Sequence, residues 1–312
     1  MKAVLINKND ANQRVDNFLK KSFRKLSLTQ IYKYLRIKRI KVNGKKVDNK
    51  YQLKLNDKIE LYVNDEFLTQ DAKEDFLLAK KPIDAVYEDQ NILLVNKPVG
   101  LVVHDDETKT PDTLINRIKN YLIKKGEWDY KNEHSFSPSL VNRIDRNTTG
   151  LVLAAKNAES LRILNEKLKN HEIQKTYLAR VNGIIDPKQG TLRHYLTKNP
   201  KTKMVRVTKK PVTNESKQII TEYKTISHDK QTSLLEINLI TGKTHQIRAH
   251  FAFIGHPLVG ERKYTNESIL NKQKNKYQQL CAYKIKFAFS TNSGILNYLA
   301  NKEFKIPYKE FK

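Results

Sequence analysis

The segment from Val141 to Gly150 sets one carboxylate, Asp145, between Arg143 and Arg146 and runs directly into the apolar stretch Leu151–Ala155. An apolar run of that length reads as a buried strand, and a loop feeding a buried strand is held rigidly, as a catalytic group requires. The two guanidinium groups favour the anion, so a carboxylate placed there stays ionised.

The 312 residues are long for one domain and comfortable for two. Lys and Arg number 59 against 33 Asp and Glu, a formal charge of +26. Such an excess self-repels unless a polyanion neutralises it, and nucleic acid is the leading candidate. No apolar run approaches the roughly 20 residues needed to span a membrane, and Met1–Asn7 has no apolar core of a signal peptide. One cysteine, Cys281, excludes an internal disulfide framework, fits a reducing cytoplasm and reads as a small core filler.

Residues 12–63 read as a compact unit. Val15, Phe18, Leu19 and Phe23 recur at helical spacing. Ser27 and Gln30 form a capping box for a second helix with Leu28, Ile31 and Leu35 on its apolar side. Asn43-Gly44 between two short alternating runs predicts a hairpin, and Lys58–Val63 closes the unit as a strand. Seven basic residues, Lys33, Arg36, Lys38, Arg39, Lys41, Lys45 and Lys46, fall within fourteen positions on the second helix and its hairpin. This pattern resembles the alpha-L RNA-binding module, in which that helix end and hairpin contact RNA. The expected boundaries are residues 1–65 for the module, 66–85 for a charged, aperiodic linker containing Pro82, and 86–312 for a second domain.

That second domain has many short strands and few helices, so its class is α+β, a mixed and mostly antiparallel sheet preceded by a small α/β module. Strands are expected at Asn91–Asn96, Leu101–His104, Thr176–Val181 and Leu234–Leu239. Asn157 caps a helix carrying Leu161, Leu164 and Leu168, and Thr244 caps another that ends before Gly255, with Ile247, Phe251 and Ile254 on one face and Arg248 on a different side. His245 and His250 stand five apart, not the four that sets two metal ligands on one helical face, so no metal is expected.

Four segments, in this order along the chain, resemble the RluA/RluC family of RNA pseudouridine synthases. Lys97–His104 is similar to the family's N-K-P-x-G-x-x-V-H stretch, and Asn142–Leu151 to its H-R-L-D-x-x-T-S/T-G-L motif. Lys175–Val181 matches its tyrosine strand, and Gly242–His250 its G-R/K-x-H-Q-I/L-R-x-H motif. Arg14–Leu19 and Ile31–Leu35 look most like the RluC branch. Asn142 stands where the family has histidine and Ile144 where it has leucine, and Lys209–Asn214 lacks a glycine often found there. Asn142 keeps a hydrogen bond but not a titrating one.

The resemblance implies isomerisation of uridines in large-subunit ribosomal RNA, with no cofactor; a cytoplasmic monomer without a protein partner is expected. Asp145 would be the catalytic nucleophile, Arg248 its ion-pair partner, and Tyr177 would pack against the uracil and move a proton from the ring. An unperturbed tyrosine pKa of about 10 makes that last task depend on electrostatic help. Arg143 either fills the space left by a flipped-out nucleotide or merely holds Asp145; Arg146 and His104 would contact RNA. Two rivals are a non-catalytic ribosome-assembly factor and a hydrolytic glycosidase, which would need a second, protonated carboxyl.

Overall fold

The computed structural model describes residues 1–69, 74–105, 110–202, 204–265 and 276–307. Its first unit comprises β1 (Lys2–Leu5), α1 (Val15–Ser22), α2 (Leu28–Arg36), β2 (Ile40–Val42) and β3 (Lys58–Leu61), with the strands in the order β1-β3-β2. The capping box forms as expected: Gln30 N–H donates to Ser27 Oγ at 3.2 Å, and Ser27 N–H donates to Gln30 Oε1 at 2.9 Å. Val15, Phe18, Leu19, Phe23, Ile31 and Leu35 are buried in one core, but Leu28 is exposed. It occupies the first helical position, where it reaches past the edge of that core.

Asn43 and Gly44 both take positive φ, 52° and 73°, and Val42 and Lys45 exchange two 3.0 Å backbone hydrogen bonds. The tight turn is therefore present, but its return arm is a single bridge at Lys45. The strand that pairs with β2 is β3, which matches Ile40 with Leu61 and Val42 with Ile59. Once β3 takes that edge, residues 46 and 47 have no strand to join. In the segment expected to be a linker, Leu68 packs into the first unit's core and Phe76 into that of the second.

The second unit runs β4 (Ala85–Glu88), β5 (Ile92–Lys97), α3 (Leu114–Lys124), β6 (Ser139–Leu140), β7 (Thr149–Ala155), α4 (Ala158–Lys169), β8 (Ile173–Asn182), β9 (Gln189–Lys198), β10 (Val205–Thr208), β11 (Lys217–His228), β12 (Thr232–Leu239), α5 (Gln246–Phe253), β13 (Leu280–Phe287) and β14 (Glu303–Lys305). Eleven strands form one sheet whose main path is β10-β9-β11-β12-β8-β13-β7-β5-β4. Among the described residues, β13 against β7 is its parallel pair and the other pairs run antiparallel.

The centre of this sheet is buried on both faces, and side chains alternate between them as the pleat requires. Val152 and Ala154 of β7 join Leu93, Val95, Ala179 and Leu235 on one face, beneath Leu114, Ile118 and Leu122 of α3 and Ile247 and Phe251 of α5. Leu151, Leu153 and Ala155 point to the other face, against Leu164 of α4, Leu296 and Leu299. Asn157 caps α4 by accepting from Ser160 N–H at 2.8 Å. Cys281 is buried on that second face, as a small core filler should be.

Leu101–His104 does not form the expected strand. Its three apolar residues are buried, but Val102 and Val103 offer their carbonyls to Leu114 and Ile115 at the start of α3. The run is a loop covered by a helix.

The two units touch through polar side chains. Asn9 donates to Glu133 at 2.6 Å and accepts from Ala158 N–H at 3.0 Å, while the Ser135 hydroxyl donates to Asp10 at 2.6 Å.

Candidate active site

Ala282 of β13 lies in register with both Gly150 of β7 and Tyr177 of β8. One row across three strands thus sets the tyrosine two strands, ~10 Å, from the point where the Asp145 loop enters the sheet. Gly150 has φ of +104°, and a β-carbon there would run into the backbone carbonyl of Ala282. Gly150→Ala is expected to displace the loop and lower both thermal stability and activity. Melting and rate measurements indistinguishable from the parent would refute that reading.

The loop is pinned on either side of Asp145. Leu153 N–H donates to Asn142 Oδ1 at 2.7 Å, and Asn142 Nδ2 donates to the Leu151 carbonyl at 3.4 Å, so Asn142 staples the loop to β7. On the other side the Lys97 ammonium, fully buried, donates at 2.8 Å to each of the carbonyls of Pro98, Leu101 and Arg146. Burial pushes Lys97 down to about 7, against the pull of Asp145.

Arg248, in the first turn of α5, reaches the same loop. Its Nη1 donates to Asp145 Oδ2 at 2.9 Å, while Nε and Nη2 donate to the two oxygens of Glu261 at 2.7 and 2.8 Å. The Arg248 side chain is 7% exposed, that of Asp145 25% and that of Glu261 0%. Burial works against the Arg248 charge, but Glu261 and then Asp145 outweigh it and hold the guanidinium protonated. Burial likewise opposes the Glu261 anion, and Arg248 holds its pKa below the ordinary value. One fork therefore serves two carboxylates, a geometry a guanidinium suits and an ammonium does not.

Helix α5 starts one residue later than expected. The residue before it is His245, with φ of 54°, and Gln246 closes the turn by accepting from Lys243 N–H at 3.1 Å and from the Thr241 hydroxyl at 3.0 Å. With Gln246 in that role, Thr244 is left exposed and uncapping.

Asp145, Tyr177 and Arg248 are thus gathered around the loop. Tyr177 is buried, and burial followed by the Asp145 charge raises its pKa. The electrostatic help expected for a tyrosine base is therefore reversed: the phenol stays protonated. Arg143 and Arg146 are exposed on the Asp145 loop. His104 is half-buried, its pKa lowered by burial and then by Arg143 and Lys119. On the first unit Lys33, Arg36, Lys38, Arg39, Lys45 and Lys46 are exposed, and Lys41 is half-buried with its ammonium 5.4 Å from the Tyr62 ring centroid. Sequence reasoning missed Glu261, which lies 13 residues beyond Arg248 past a turn, outside any periodic element. It also missed the work of Lys97, whose signal was a lysine ending an otherwise apolar strand before Pro98.

Residues 91–253 match the family model for RNA pseudouridylate synthases, and residues 13–59 match the S4 domain. A protein of Mycoplasma capricolum subsp. capricolum named as an uncharacterized RNA pseudouridine synthase is 36% identical over 316 residues, covering 97% of this chain and 96% of its own length. Ribosomal large subunit pseudouridine synthase C of Buchnera aphidicola subsp. Schizaphis graminum is 29% identical over 88% of this chain and 83% of its own. Human RNA pseudouridylate synthase domain containing 1 shares the fold, with a TM-score of 0.58 at 18% identity over 78% of this chain and 89% of the human one. The chain belongs to the RNA pseudouridine synthases, in the RluA/RluC family, and carries an S4 domain ahead of its catalytic domain.

Proposed function

We propose that this synthase isomerises uridines in large-subunit ribosomal RNA, with Asp145 as the nucleophile. The observation that carries the proposal is the Asp145–Arg248–Glu261 chain, which sets one partly exposed carboxylate against a buried guanidinium at the mouth of a buried sheet. An Asp145 oxygen attacks C1′ of the ribose, and the glycosidic bond breaks with its electrons passing to uracil N1. The base turns, C5 attacks C1′, the ester bond to Asp145 breaks with its electrons returning to the carboxylate, and the C5 proton is given up to solvent while N1 takes one up, so that the product is an isomer of the substrate. Tyr177 packs against the uracil as a neutral phenol. Relatives named for the large ribosomal subunit support the choice of RNA.

A uridine stacked in RNA cannot present its glycosidic bond to Asp145, so the nucleotide must turn out, at a cost of roughly a few kcal/mol. Arg143, exposed two residues before Asp145, supplies a flat guanidinium to fill the vacated space. Glu261 does not serve as the acid of a glycosidase: it is buried, bidentate to Arg248 and held deprotonated. Asn142 does not mark a decayed site, because it is spent on the backbone of β7.

The cations of α2, β2 and the turn that follows would grip RNA phosphates. Reversing charge at Arg36 and Lys41 is expected to weaken binding and to lower the slope of log affinity against log salt by about two. Titrations at several salt concentrations check this; an unchanged slope would remove the S4 domain from the contact. Incubating ribosomal RNA with the enzyme tests the reaction itself. Rearranged uridine is expected, and abasic sites would replace this reading with hydrolysis.

A further inference from the structure

A second array converges on Asp145 through His245 and Tyr264. His245 Nε2 lies 3.7 Å from Asp145 Oδ2, the oxygen that already accepts from Arg248, and His245 Nδ1 lies 2.6 Å from the Tyr264 hydroxyl. The same hydroxyl oxygen accepts from the Val205 backbone N–H at 3.3 Å, and the Arg248 guanidinium packs on the Tyr264 ring at 5.6 Å from its centroid. Among the described residues nothing donates to Asp145 Oδ1.

The Val205 contact favours one direction for the array. Because a backbone N–H must donate, it occupies an acceptor site on Tyr264, whose own O–H then needs an acceptor; the nearest is His245 Nδ1. A ring nitrogen that accepts carries no proton, so in the neutral imidazole the proton resides on Nε2. Burial keeps His245 neutral against the pull of Asp145, with Arg248 and Lys263 working in the same sense as burial and Glu261 against it. Nε2–H therefore faces Asp145. At 3.7 Å it is too far for a hydrogen bond, and catalytic hydrogen bonds commonly tighten only with substrate bound.

We propose that Tyr264 and His245 form a fixed-proton relay that closes on Oδ2 of Asp145 and leaves Oδ1 as the oxygen presented to the nucleotide. His245 is thus a positioning residue, set by Tyr264, for a carboxylate whose two oxygens have different work. The inference rests on the reading of Asp145 as the catalytic group.

The test compares His245→Gln with His245→Leu. Both side chains are unbranched at Cβ and carry the same burden at φ of 54°, but the glutamine amide can place a donor near Nε2. His245→Leu is expected to lower the single-turnover rate of pseudouridine formation by roughly tenfold or more, the loss of one hydrogen bond to a charged group, with RNA affinity unchanged. His245→Gln is expected to recover most of that rate. In ¹⁵N spectra the Nε2 of His245 should give the shift of a protonated nitrogen, and Tyr264→Phe should abolish that preference. Equal rates for the leucine and glutamine variants, or a proton found on Nδ1, would overturn the relay. Loss of activity in Asp145→Asn with a fully active His245→Leu would sink this inference alone; an active Asp145→Asn would sink the reading beneath it.

Discussion

Asp145→Asn is expected to lower the single-turnover rate of pseudouridine formation by ~10³-fold or more, as loss of a covalent nucleophile does. RNA affinity should stay within about threefold, since affinity rests on phosphate contacts spread over the basic surface. The variant should also fold. Asparagine keeps the size of the side chain, and Arg248 retains its two hydrogen bonds to Glu261. Activity and binding therefore part company. A residue that only stabilised the loop would lower both through misfolding, and circular dichroism with thermal melting separates the cases. Activity within tenfold of the parent would remove Asp145 from the chemistry.

Arg248→Met should damage stability as well as rate. Glu261 is fully buried, and its carboxylate relies on the Arg248 fork, with the backbone N–H groups of Arg262 and Lys263 as further donors. Removing one partner of a buried pair costs on the order of 3–5 kcal/mol, because the remaining charge is left uncompensated in a low-dielectric site. Asp145 loses its ion pair at the same time, so the carboxylate is no longer held in place. Arg248→Lys keeps the charge but not the fork and cannot serve both carboxylates; its rate should fall nearer to the methionine variant than to the parent. Arg248→Met combined with Glu261→Gln should regain stability without regaining rate. A melting temperature unchanged in Arg248→Met would show that the buried pair does not hold the loop.

The features legible in the sequence were those decided locally. Ser27 and Gln30 stand three apart and cap each other; Asn157 reaches Ser160; β7 announces itself as an apolar run. Errors arose where a distant segment chose the outcome. Leu101–Val103 has the composition of a strand, but α3 takes its carbonyls. Lys46 and Val47 alternate like a return strand, but β3 reaches β2 from 14 residues farther on. At the site, Asp145 and Arg248 were nameable because each lies in a dense local motif. Glu261 and Tyr264 were not, because their meaning comes from a helix that carries Arg248 and His245 back toward them. Tyr177 is legible in the sequence as a strand residue, but its electrostatics are not: burial and the field of Asp145 exist only in the folded chain.

Pseudouridine mapped across total ribosomal RNA, in cells whose only copy of this synthase carries Asp145→Asn, tests the central claim most directly. Large-subunit RNA from those cells is expected to lack defined pseudouridines that the parental enzyme restores, with small-subunit RNA unaltered. A modification profile identical in the two strains would contradict the claim.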